Sequence, residues 1–197
     1  MFIQIIQGKC TRQDECRAAG ERWLRDVAPA ADGWLGGTYG FTDDDDFVAV
    51  VRFESREAAA ANAARPEQDA WWREMASLFD GPVEFHDCDD VTLMMDGGSD
   101  DAGFVQIMRG KVDDAATLKR IMTDTEQLHQ MRPDIIGGTL AIEPDGTFIE
   151  TVAFSDEASA RAGEAMEMPD DVRAAMDSAM HDVSYTDLHQ PWFTSRA

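Results

Sequence analysis

Two stretches of this sequence are copies of one another, so whatever it folds into is built twice. Residues 2–9, FIQIIQGK, return as residues 104–111, FVQIMRGK, with Phe, Gln, Ile, Gly and Lys identical at an offset of 102. Gly36, Gly37 and Thr38 return as Gly137, Gly138 and Thr139, and Phe47 and Phe53 as Phe148 and Phe154, at an offset of 101. Near the end of each half, Val83, Phe85 and Asp87 match Val183, Tyr185 and Asp187 at an offset of 100. Charge divides evenly as well: 9 basic and 20 acidic residues in 1–97 against 8 and 19 in 98–197 leave −11 in each half. Self-similarity at a long period marks a duplicated structural unit. The expected division is a first repeat at 1–95, a linker at 96–103 (DGGSDDAG), a second repeat at 104–190, and an irregular tail at 191–197.

Within one copy the hydrophobic period changes in a telling order. Phe2–Lys9 is apolar on both faces and reads as a buried strand. Thr11 and Asp14 suggest a capping box, and Cys16, Ala19, Trp23, Leu24 and Val27 recur at helical spacing until Pro29. Trp34–Phe41 and Phe47–Phe53 read as a hairpin over Asp43–Asp46, whose counterpart is the turn at Pro144, Asp145 and Gly146. An Ala-rich helix follows Ser55, a second helical piece starts at Pro66, where Pro is tolerated, and Val83–Cys88 is a last strand. The order is β-α-β-β-α-β, that of ferredoxin-like modules. The second copy repeats it, with helices expected near 113–130 and 156–181. Apolar residues on both faces of the strands predict that the sheet of one copy covers that of the other.

Composition narrows the function. A net charge of −22 repels phosphate backbones and anionic membranes, so neither nucleic acid nor membrane is an expected partner. No apolar run reaches the roughly 18 residues of a membrane span, and MFIQIIQGKC lacks a basic leader, which places the protein in the cytoplasm. Cys10, Cys16 and Cys88 are odd in number and lack metal spacing, and are expected to be reduced and mostly buried. There is no P-loop, no GxGxxG after a strand, no GxSxG and no HExxH, so no cofactor and no metal is expected. Asp43–Asp46 lacks the spacing of a calcium loop and reads as a solvated hairpin tip.

The element order, the doubling and the paired helix starts (Ser55, Glu57, Ala58; Ser155, Glu157, Ala158) resemble the dimeric α/β-barrel superfamily. Within it they resemble the antibiotic-biosynthesis-monooxygenase-like group in a tandem form. The resemblance implies an α+β fold of two ferredoxin-like βαββαβ repeats forming an intramolecular α/β barrel. It also implies a monomer, since a fused pair already closes what single-copy relatives close by dimerising. Ligands of such proteins sit between the sheet and the two helices of a lobe. The activity implied is small-molecule binding, with cofactor-independent monooxygenation of an aromatic substrate, in which a base removes a phenolic proton and the anion meets oxygen directly. The alternative is a non-catalytic ligand-binding or interaction module. Haem binding or degradation stands third, because haem-degrading relatives carry an Asn on the first strand where this chain has Gln4.

The candidate residues follow from that picture, each with a plainer reading beside it. His86 is the candidate base, against a satisfied strand histidine. Gln4 and Asn62 would orient the substrate; Gln4 and its copy Gln106 could equally satisfy their neighbours, since a buried amide needs partners. Trp71 or Trp72 would stack on the substrate, against simple packing. His129, His181 and His189 read as helix-end or tail residues, and Met122, Met131, Met166, Met168, Met176 and Met180 as an adaptable core. Because Trp23, Trp34, Trp71 and Trp72 all lie in the first copy, the first lobe is the expected holder of a pocket.

Overall fold

A computed structural model describes residues 1–124, 128 and 130–196; His129 and part of the helix expected at 113–130 lie outside the described residues. Strand β1 (Phe2–Lys9) is followed by α1 (Gln13–Asp26), β2 (Trp34–Phe41), β3 (Asp46–Phe53), α2 (Arg56–Ala63), α3 (Pro66–Ala76) and β4 (Glu84–Cys88). A short strand β5 (Asp90–Met94) leads into the second copy: β6 (Phe104–Val112), α4 (Ala115–Thr123), β7 (Ile135–Ile142), β8 (Thr147–Phe154), α5 (Glu157–Glu164), α6 (Asp170–Ala179) and β9 (Met180–Ser195). The fold is α+β, and the repeated order read from the sequence is present in both halves. The expected helix at 156–181 is two helices, parted just before Pro169, whose ring cannot donate to a helical ladder.

The compact units do not follow the expected 1–95 and 104–190 division. Unit 1 comprises residues 1–89 and the chain from Trp192 onward, and unit 2 comprises Asp90–Pro191. In unit 1 the strand order is β4-β1-β3-β2 with the end of β9 beside β2; in unit 2 it is the start of β9, then β6-β8-β7-β5. The pairs β1–β3, β1–β4, β2–β3, β5–β7, β6–β8, β6–β9 and β7–β8 are all antiparallel. Thus β5, which directly follows the first repeat, pairs with β7 of the second (Asp90 opposite Ile142, Met94 opposite Gly138). The tail expected to be irregular returns to β2, where the Arg196 amide donates to the Leu35 carbonyl at 3.2 Å. The physical reason is the edge: without a fifth strand, β2 and β7 would each leave a row of backbone donors and acceptors unpaired.

This exchange explains the most conspicuous repeated motif. A Cβ placed on Gly36, which has φ of +139°, would collide with the Thr194 carbonyl, and one on Gly137 would collide with the Gly97 carbonyl. Each glycine pair stands where a segment from the other repeat crosses close to its strand.

Local signals were partly reassigned. Ser55 caps α2 by accepting from the Ala58 amide (3.2 Å), as expected. In the second copy the cap is Asp156, which accepts from the Ser159 amide at 2.8 Å, and not Ser155. Thr11 caps nothing: its amide and hydroxyl both donate to Asp80 at 2.8 Å, and α1 starts without a side-chain cap. Cys10 and Cys16, expected to be reduced, are paired as a disulfide because the turn from β1 to α1 brings the buried pair together; Cys88 is buried and lies outside the disulfide. Among the described residues no helix is long and apolar enough to cross a membrane.

Candidate functional site

Alternation along β1 and β3 sends Gln4, Ile6, Ala49 and Val51 towards the helices of unit 1. There they meet Trp23 from α1, Trp71, Trp72 and Met75 from α3, Asn62 from α2, and Tyr39 from β2. The space left is about 90 Å³, room for about three waters. Aromatic rings fill the rest: Trp23 packs edge-on against Trp34 (centroids 5.0 Å apart) and leans on Trp71 (6.1 Å). Trp192, delivered by the returning tail, stacks on Tyr39 at 5.7 Å under the guanidinium of Arg17. All five tryptophans of the chain therefore belong to unit 1.

The residues expected to bind substrate do converge there, but with partners of their own. Gln4 donates to the Asp87 carboxylate at 2.9 Å, and the Asn62 side-chain oxygen accepts from Arg65 at 3.0 Å. The Trp71 indole donates to the Ala19 carbonyl at 2.8 Å, and Trp72 packs on Phe79 and Phe85. His86 is not brought to them. It lies opposite Ile5 in the sheet register, one residue out of phase with Gln4 and Ile6, and so projects from the other face, with Glu84 at 3.7 Å. The other described histidines pair with carboxylates, His181 with Asp113 at 2.7 Å and His189 with Glu157 at 3.1 Å.

Unit 2 has the same frame and a different interior. Between its sheet and helices lies a cavity of about 580 Å³. Methionines provide much of the wall: Met94, Met108, Met122, Met131, Met168 and Met176, with Leu118, Ile121, Val172 and Phe154. Of the methionines read as core from the sequence, Met122, Met131, Met168 and Met176 border this open space, whereas Met166 is exposed and Met180 packs against the core.

One end of this cavity is polar. Gln106 donates to Asp187 at 2.9 Å, repeating the Gln4–Asp87 pair, and also to Glu164 at 3.0 Å. Arg161 binds Asp187, Glu164 and Glu157 at once, and the bond to Asp187 above all holds its guanidinium more firmly protonated than usual. Arg132 is held by Asp134 at 2.8 Å and lies 5.4 Å from the Phe154 ring centre. Glu150 is different. It projects from the middle of β8, in a cross-strand row that runs Leu140, Glu150, Met108, Tyr185. Its residue is 7% exposed, and among the described residues it has neither a hydrogen bond nor a salt bridge. Burial alone pushes its carboxyl up to about 7. Tyr185, although 62% exposed, is raised in turn by partial desolvation and by the charges of Glu150 and Glu164.

Sequence reasoning missed Glu150, yet a signal existed. The offset that aligns Phe47 with Phe148 aligns Glu150 with Ala49, so the second copy carries a carboxylate where the first has a methyl. Among the described residues no group of three or more His, Cys, Asp or Glu side chains could hold a metal ion.

No protein-family model matches the sequence, and no curated protein does so significantly. Solved structures do match in shape. A candidate monooxygenase from Fusobacterium nucleatum subsp. nucleatum superposes with a TM-score of 0.77 at 10% identity, covering 100% of this chain and 94% of that one. A candidate monooxygenase from Lactobacillus acidophilus NCFM gives 0.72 at 14% identity, covering 95% and 92%. An anthrone oxidase-like protein gives 0.66 at 10% identity, covering 98% and 92%. The chain shares the fold of these three solved structures over nearly its whole length, with the repeated order of elements present in both halves.

Proposed function

We propose that this chain takes a neutral aromatic small molecule into the cavity of unit 2 and oxygenates it without a cofactor. The observation that carries this reading is the contrast in volume: about 580 Å³ lies within the range of small-molecule sites, whereas about 90 Å³ in unit 1 does not. The wall suits a planar apolar guest, because thioether side chains are polarisable and make favourable contacts with ring edges. The polar end, Gln106 with Tyr185 and the Arg161 cluster, supplies the few fixed hydrogen-bonding groups that orient such a guest.

The likeness in fold to an anthrone oxidase-like protein supports an anthrone as the substrate class. An anthrone has an acidic ring methylene. Loss of its proton leaves an anion that gives electrons to dioxygen; a carbon–oxygen bond forms, and the hydroperoxide loses water to leave a ketone. The sum is CH2 plus O2 to C=O plus H2O, and no metal or organic cofactor enters.

The test is oxygen uptake with an anthrone, paired with a thermal-shift measurement. A ligand at 100 times its Kd stabilises the fold by about 2.7 kcal/mol, which for a chain of this size raises Tm by roughly 5–10 °C. Uptake together with the shift supports the reading. A shift with no uptake makes the protein a binding module, and no shift with any fused-ring aromatic removes the cavity from consideration.

A further inference from the structure

We propose that Glu150 is the catalytic base of the unit 2 cavity, drawing a proton from a carbon acid or phenol on a neutral, planar substrate lying against the methionine wall. The proposal rests on the preceding reading that this cavity is the substrate site, and adds to it the proton acceptor and the substrate's required charge.

Position comes first. Glu150 stands on a central strand between β6 and β7, so its backbone is held on both sides, and its side chain shares the cavity face with Met108 and Tyr185. Isolation comes second. Among the described residues every other charged group bordering the space is compensated: Arg132 by Asp134, and Arg161 by Asp187 and Glu164. The elements packed against Glu150 bring these groups, Gln106 from β6 and Tyr185 from β9. From α4, α6 and β5 come apolar residues only, such as Leu118, Met176 and Met94. A buried carboxyl without a partner is costly, and the fold does not require it, since the twin position holds Ala49. A cost without structural return is characteristic of groups kept for chemistry.

The protonation state fits the role. A carboxyl that titrates near 7 is largely a base at slightly alkaline pH, yet basic enough to accept a proton from a weak acid. The step is balanced. The carboxylate takes the proton, the C–H electron pair stays on the ring system and passes to dioxygen, and the proton leaves with the water formed when the hydroperoxide collapses. The substrate must arrive uncharged, because the ionised Glu150, which no cation neutralises among the described residues, would repel an anion.

The experiment uses the full chain and two probes of one shape: dithranol, which has an acidic methylene, and xanthone, which has an oxygen there and no proton to give. The wild-type protein is expected to bind xanthone and to consume oxygen with dithranol, at a rate that rises through about pH 7 and then levels. Glu150→Gln, checked for an intact fold by circular dichroism, should bind xanthone within about threefold of wild type. Its turnover should fall at least ~100-fold and lose the inflection. Glu150→Asp should recover part of the rate with the inflection moved. A Glu150→Gln variant that keeps the rate or the inflection overturns the proposal. Xanthone binding without dithranol turnover in the wild type also overturns it, while leaving the cavity reading intact. Absence of xanthone binding removes the cavity reading and, with it, the base.

Discussion

The two units share strand order, helix placement and even a Gln–Asp pair at matching positions, yet one interior is filled and the other is open. In unit 1 the space between sheet and helices is occupied by indole rings, the fifth of which comes from the C-terminal segment. In unit 2 the same space is bordered by methionines and holds an uncompensated carboxyl. Duplication therefore separated two demands that usually compete within one small core. Dense aromatic packing stabilises one copy, and the other keeps a cavity whose lining contributes less to stability.

The comparison can be tested by mutation. Trp23→Ala removes a buried ring from the centre of unit 1 and its bond to Gln68, and should cost about 3–5 kcal/mol in denaturant unfolding. A loss below about 1 kcal/mol would mean that the aromatic cluster is not what holds unit 1 together. Glu150→Gln should act the other way, and only above acid pH. The folded carboxyl titrates at about 7 against 4.5 unfolded, so the folded state binds the proton more tightly. Stability is then unaffected below about pH 4.5, declines as pH rises to about 7, and is flat above. The variant escapes that decline, and its advantage over wild type should grow by about 3 kcal/mol between pH 4.5 and pH 8. Matching pH profiles for the two proteins would show that Glu150 is better solvated than its burial implies.

Smaller effects refine the contrast. Met168→Trp puts into unit 2 the kind of ring that fills unit 1, and should weaken binding of a fused-ring aromatic by about 10-fold to 100-fold in titration, whereas Trp72→Ala should leave it within about twofold. Comparable losses from both would place the guest elsewhere. Ser55→Ala and Asp156→Ala remove equivalent helix caps and should each cost about 1 kcal/mol. A large difference between them would show that the units also differ in how much their second helix contributes.

Much of the fold was legible because its signals are local. The strand and helix order follows from side-chain periodicity and from Pro66, Ser55 and the hairpin turns, and the repeat confirmed each element twice. What was hidden is long-range. Asp90–Met94 is five residues of mixed polarity whose partner begins 45 residues later, and nothing in DVTLM says which edge it will cover. The tail at 192–196 was hidden for the same reason. The site was misweighted by a subtler error. A concentration of tryptophan signals aromatic surface but not its destination, and here the rings face one another instead of a ligand. Glu150 lay inside TFIETVAF, where a lone acid on a strand looks like a solvent-facing residue. Only alignment with Ala49 marks it as unusual.

The exchanged strands also bear on how such a gene can be altered. Residues 192–196 are encoded at the far end of the second repeat but complete the sheet of the first, and residues 90–94 do the reverse. A frameshift within the codons for residues 192–196 would thus damage the unit whose own coding sequence is intact. Expressing either repeat alone yields a sheet with one raw edge, open to pairing with another copy of itself. Each half of the gene carries a short passage written for the other, so recombination that trades one half for a homologue's must also match that borrowed strand.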